Sequence, residues 1–146
     1  MSYQVFVTVL SGVSVFVIGQ IVLKLLIEPI ISLKMTFGEI SGLFLREQPC
    51  IIGARASDEI RDEIFRFSSL LLAKKSTIPL YSVMRFFFCL PSSKSLTSAA
   101  KSLNRVGALT VNIKGDTDIK IKHQQILESM KNISNELKIV TDYTSL

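Results

Sequence analysis

Nineteen consecutive uncharged, mostly apolar residues, Val5 to Leu23, open the hydropathy pattern: VFVTVLSGVSVFVIGQIVL. At about 1.5 Å per residue a helix of this length spans roughly 29 Å, close to the hydrocarbon thickness of a bilayer. A chain of 146 residues has little core in which to hide such a helix, so the pattern predicts a membrane span. Val5, Phe6, Leu10, Gly12, Phe16, Gly19 and Leu23 are its expected membrane-spanning residues. A buried core helix or a cleaved secretory signal are the alternatives. A signal would carry a basic n-region and a small-residue cleavage site. Here Met1-Ser2-Tyr3-Gln4 precede the run and Lys24-Leu25-Leu26-Ile27-Glu28-Pro29 follow it, so the segment is expected to stay as an anchor.

Beyond the span the pattern changes. Pro29 predicts a kink at Glu28, with an amphipathic continuation through Ile30, Ile31, Leu33 and Phe37. Gly38, Gly42, Pro49 and Gly53 are expected to punctuate the next region. Ser57 is a candidate N-cap, with Asp58 and Glu59 in the first turn. Ile60, Ile64, Phe67 and Leu71 recur at helical spacing, and Lys74 and Lys75 mark the end of that helix. Ile78 to Leu90 form a second apolar block of thirteen residues, too short to span. Extending it back to Phe67 brings in Lys74, Lys75 and Arg85, each costing about 2.5–3.5 kcal/mol at mid-membrane. An interfacial or re-entrant segment with Phe86, Phe87 and Phe88 inserting into lipid fits this block; a core strand or helix and a true second span are alternatives.

After Pro91, Ser92 or Ser93 can cap a helix whose stripe is Leu96, Ala99, Ala100, Leu103 and Val106, with Gly107 as its stop. Leu109 to Ile113 alternate like a short strand. Gly115-Asp116 are expected to open a last helix. There Ile119, Ile126, Ile133 and Val140 recur every seven residues, with His123, Met130 and Leu137 interleaved. This seam predicts a partner helix, either within the chain or from another copy. In the span, Thr8, Gly12, Val15 and Gly19 share a face, with Ser11 and Gln20 beside them, a pattern that supports self-association.

The expected fold class is therefore mainly α: an N-terminal transmembrane helix, then a small helical cytoplasmic domain, with a second membrane-embedded segment as an option. The divisions are 1–34 (transmembrane helix and juxtamembrane extension), 35–115 (basic helical region with the aromatic block) and 116–146 (heptad-patterned helix).

Charge sharpens this picture. The net charge is +5, yet no Asp or Glu occurs from Ile64 to Lys114, where eight Lys and Arg residues lie. Acid-free basic stretches attract anionic headgroups or nucleic-acid phosphates. Lys74, Lys75, Arg85, Lys94, Lys101 and Arg105 are the candidate nucleic-acid or lipid contacts; a solvated basic surface is the alternative. Lysine and arginine favour the cytoplasmic side. None precedes the span, while Lys24, Lys34 and Arg46 follow it, so the N-terminus is expected outside and the body in the cytoplasm. The 48% apolar content and mean hydropathy of +0.41 suit a membrane protein. Cys50 and Cys89 match no metal spacing, and packing is their expected role. No phosphate loop, nucleophile elbow, Cys–His–Asn set or zinc spacing is present. No catalytic residue, metal or cofactor is expected, and the chain reads as a non-enzyme.

The run Ser11-Gly12…Gly19-Gln20-Ile21-Val22-Leu23-Lys24…Ile27-Glu28-Pro29-Ile30 resembles a group of small bacterial inner-membrane proteins with a Gly-Gln-Ile-Val-Leu-Lys…Glu-Pro signature. Ile78-Pro79-Leu80-Tyr81 and Leu103-Asn104 are similar to that group's downstream pattern. The resemblance covers roughly residues 5 to 106 and leaves out the heptad tail. Within the group, the chain is most similar to the transmembrane effectors of retrons, which are bacterial anti-phage systems. The resemblance implies a toxin acting in abortive infection. It would be held inactive by a reverse transcriptase and its RNA-linked single-stranded DNA, and would damage the inner membrane when released. Such effectors often carry two membrane segments, for which the weaker block Ile78 to Leu90 is the only counterpart here. A passive membrane anchor or scaffold for a cytoplasmic protein or nucleic-acid complex is the competing class. A phage-type lysis protein fits poorly with a basic body of this size.

Overall fold

The computed structural model describes residues 2–110 and 119–143. Among these residues every regular element is helical. A first helix, α1 (Ser2–Val22), passes through a π-helical turn (Leu23–Ile27) into α2 (Glu28–Arg46). Together they form one rod of 45 residues, roughly 68 Å long at the usual helical rise. Short α3 (Gln48–Ile52), α4 (Asp58–Ser76), α5 (Tyr81–Phe88), α6 (Ser93–Leu109) and α7 (Ile119–Leu137) follow.

Pro29 does not interrupt the rod, and Glu28 keeps helical angles (φ −58°, ψ −47°). The expected deformation is taken up one turn earlier. There the Glu28 N–H bonds to the Leu23 carbonyl, five residues back, in the widened turn that commonly absorbs such strain. Gly38 and Gly42 likewise sit inside α2 rather than breaking it. Each costs about 1 kcal/mol relative to alanine. The buried face of Ile30, Leu33, Phe37, Ile40, Leu43 and Phe44 outweighs them, since a buried large apolar side chain contributes about 1.5–3 kcal/mol. Pro49 stands in the first turn of α3, where its missing N–H costs nothing.

Local rules set the next helices as expected. The Ser57 hydroxyl accepts from the Ile60 N–H at 3.3 Å, and Ser92 accepts from the Ser95 N–H at 2.9 Å. The stripes Ile64, Phe67, Leu71 and Leu96, Ala99, Ala100, Leu103, Val106 are all buried. Gly107 is not a stop. It lies within α6, where a Cβ would stand 2.9 Å from Phe65 Cε1, so the absent side chain is what lets α4 and α6 close together. Leu109 ends α6 and Thr110 caps it; the rest of the expected strand, and Gly115-Asp116, lie outside the described residues.

Cross-helix bonds fix the topology. Lys74 at the end of α4 meets Ser32 and Thr36 near the start of α2, while Glu63 near the start of α4 meets Arg46 at the end of α2. The Ser68 hydroxyl donates to the Ala100 carbonyl of α6, and the Asn132 amide of α7 donates to Ser98 and Ser102. Helices α2, α4, α6 and α7 thus alternate in direction as an antiparallel bundle. Its core is a single cluster drawn from all four, from Ile51 of α3 and from Ile78 and Leu90 on either side of α5. Of the heptad seam, Ile126, Met130, Ile133 and Leu137 are buried inside this bundle. His123 and Ile119 face outward, and Val140 lies past the helix end, its carbonyl accepting from the Ser41 hydroxyl. The core crosses the expected boundary at residue 34, because Ile30 and Leu33 already belong to it.

Candidate membrane-facing surface

No residue of α1 is buried. Val5, Phe6, Leu10, Phe16 and Leu23 are 63, 62, 52, 66 and 41% exposed, and a Cβ on Gly12 or Gly19 would meet nothing within 4 Å. All seven expected spanning residues therefore stand on a bare rod. The hydroxyls between Val5 and Leu23 are satisfied within the helix: Thr8 donates to Gln4 O at 2.9 Å, Ser11 to Thr8 O at 2.9 Å and Ser14 to Leu10 O at 2.8 Å. This internal bonding lowers the cost of placing hydroxyls in hydrocarbon. One helix is thus long and apolar enough to cross a membrane.

The second apolar block forms α5, an eight-residue helix bounded by Leu80 and Cys89, both in left-handed conformation (φ 50° and 51°). That conformation costs a non-glycine residue about 1–2 kcal/mol, so α5 is held by what it packs on. Tyr81, Met84 and Phe88 turn toward the core, and the Tyr81 hydroxyl donates to the Pro91 carbonyl at 2.8 Å. Burial pushes the Tyr81 phenol up from its ordinary value, and the Arg85 charge pulls part of the way back. The opposite face is bare: Leu80, Val83, Phe86 and Phe87 are 74, 46, 83 and 71% exposed. The Phe86 and Phe87 rings meet edge to face, centroids 5.9 Å apart. Of the three phenylalanines expected to insert, two point outward, while Phe88 is partly buried against the core.

The candidate cations divide into three groups. Lys74 is committed to the bundle: its ammonium donates to Ser32 O at 3.1 Å and Thr36 Oγ1 at 2.7 Å. Lys75 is half-buried beside it. Arg85 stands on α5 next to the exposed rings. Lys94, Lys101 and Arg105 are exposed on α6, and their spacing of seven and four places them within about 40° of one another around the axis. The ion pairs Arg46–Glu47, Arg46–Glu63, Arg61–Asp58, Arg61–Asp62 and Arg66–Glu63 lie around the far end of the bundle and the half of α4 nearest it. The α6 cations and Arg85 make no ion pair among the described residues.

One contributor escapes sequence reading. Lys138, just past α7, lines a shallow hollow with Ser82, Arg85, Phe86, Cys89 and Leu90. It lies some fifty positions from α5 in the chain, and only the antiparallel return of α7 brings it there. Leu80 and Val83 were visible as apolar residues, but their outward direction depends on which side of α5 packs. Among the described residues no group of three or more His, Cys, Asp and Glu stands together as a metal site.

No protein-family model, curated protein or solved structure matches the chain.

Proposed function

We propose that this protein is a membrane effector of a bacterial retron anti-phage defence system. In this reading α1 spans the inner membrane with the N-terminus periplasmic and the bundle cytoplasmic. A reverse transcriptase and its RNA-linked single-stranded DNA hold the effector inactive, and its release disrupts the membrane. The observation that carries the proposal is a bare apolar rod continuous with a bundle whose short α5 presents Arg85 together with the uncovered rings of Phe86 and Phe87. A catalytic protein needs a cleft with positioned acid, base or nucleophile; here the conspicuous chemistry is amphipathic surface. The defence setting rests on the resemblance of the Gly19-Gln20-Ile21-Val22-Leu23-Lys24…Glu28-Pro29 run, and the orientation on Lys24, Lys34 and Arg46, which follow the span closely.

Expression without partners should stop growth and collapse the membrane potential, read with a potential-sensitive dye. Co-expression with the reverse transcriptase and its RNA should relieve both effects. A protein that is abundant, membrane-bound and harmless when expressed alone would overturn the effector reading. The second reading, a passive anchor, is favoured by one feature: the Lys94, Lys101 and Arg105 stripe faces solvent along α6, suited to phosphates of a tethered nucleic acid. In that case the protein would retain the nucleic acid at the membrane and have no toxicity to lose.

A further inference from the structure

The bare side of α5 lies on a particular end of the bundle. Helix α2 leads away from the span and α4 returns toward it, ending where Lys74 bonds Ser32 and Thr36. Helix α6 then leads away again, so α5, which joins α4 to α6, sits at the end nearest the span. Lys138 supports the same placement independently, because α7 also returns toward that end before Lys138 lines the same hollow as Arg85 and Cys89.

The height fits as well. Ser32 lies nine residues beyond Leu23, roughly 14 Å along the rod, and a helix with its side chains is about 10 Å across. A helix beyond the Lys74 level therefore fills most of the gap to the hydrocarbon and reaches the headgroup zone, about 5–8 Å thick per leaflet. Charge at this end is complementary to an anionic leaflet: Lys34, Lys75, Arg85, Lys94 and Lys138 stand there by position along their helices, against Glu28 and Glu136.

We propose that Leu80, Val83, Phe86 and Phe87, flanked by Arg85 and Lys138, form a second membrane contact that docks on anionic headgroups of the same bilayer that α1 crosses. The contact lies on the surface of the leaflet and does not span it. It rests on α1 being a span, since only that tether holds α5 against lipid. The rings enter the acyl boundary while the cations stay with the phosphates, the usual division for an interfacial amphipathic helix.

The full chain, with Cys50 and Cys89 changed to Ala, is reconstituted into vesicles of phosphatidylcholine with phosphatidylglycerol. Single cysteines carrying an environment-sensitive fluorophore are placed by Phe16→Cys, Val83→Cys, Phe87→Cys and Glu59→Cys, and quenching by brominated lipid is read for each. The proposal expects quenching and a blue shift at 16, 83 and 87 and neither at 59. It also expects Arg85→Gln with Lys138→Gln to lose the signals at 83 and 87 while that at 16 stays. Quenching at 16 alone overturns the docking and leaves the span standing; no quenching at 16 overturns both. Quenching at 83 and 87 that ignores the charge change overturns the role given to the cations. Probes at 83 and 87 that respond only to added single-stranded DNA overturn the lipid assignment. Circular dichroism of each variant confirms that the bundle is intact.

Discussion

Two arginines placed at the middle of α1, Val13→Arg with Val15→Arg, should strip the protein from the membrane. Thirteen Val, Leu, Ile and Phe residues lie between Val5 and Leu23. At about −0.3 to −0.6 kcal/mol each on the insertion scale, they supply roughly 4–8 kcal/mol, less the smaller cost of the hydroxyls, glycines and Gln20. A central arginine costs about 2.5–3.5 kcal/mol, so a pair costs roughly 5–7 kcal/mol and cancels most of the gain. Val13 and Val15 are 53 and 71% exposed and contribute nothing to the bundle core, so the change acts on insertion rather than on folding of the helical bundle. Alkaline carbonate extraction followed by flotation is the assay. Wild type and a Val13→Leu, Val15→Leu control should float with the membranes, and the arginine pair should remain in the soluble or aggregated fraction. An arginine pair that floats like wild type would refute the insertion arithmetic and the span with it.

The remaining predictions concern the bundle. Leu103→Ala removes a fully buried side chain of α6 and should cost about 2–5 kcal/mol, read as a lower unfolding midpoint of the full chain in detergent. Gly107→Val should also lower that midpoint, because its Cβ meets the Phe65 ring at 2.9 Å; coupling it with Phe65→Ala should recover part of the loss. Ser92→Ala removes the α6 cap and should cost about 1 kcal/mol, whereas Ser93→Ala, one residue inside the helix, should cost markedly less. Lys74→Met breaks the α4–α2 tie at Thr36 and should increase hydrogen exchange in the last turn of α4 and in the chain leading to α5.

Much of the helical framework is written in local pattern. The caps at Ser57 and Ser92 and the stripes of α4 and α6 follow from spacing and side-chain chemistry within a few residues, and those parts of the structure match the reading of the chain. Proline and glycine mislead for the opposite reason. At Gly38 and Gly42 the local penalty is about 1 kcal/mol each, while the burial that overrides it comes chiefly from α4, far along the chain; at Pro29 the widened turn before it absorbs the strain. Gly107 reads as a stop by composition, but its meaning is steric and depends on Phe65.

The candidate surface divides in the same way. Periodicity alone marks the α1 rod as apolar on every side, and the α6 cations fall on one face by spacing. Which phenylalanines of α5 look outward, that Lys74 is engaged with α2, and that Lys138 lines the same hollow as Arg85 depend on packing between segments tens of residues apart. The amphipathic block was therefore legible as a unit before its two faces could be assigned.

Accessibility on the two sides of the span tests the central claim most directly. In a chain lacking Cys50 and Cys89, Ser2→Cys and Ser57→Cys are probed with a membrane-impermeant maleimide on intact spheroplasts and after lysis. A helix crossing the inner membrane with its bundle inside predicts labelling at 2 in intact cells and at 57 only after lysis. Equal labelling of both positions before lysis, or of neither until lysis, would contradict it.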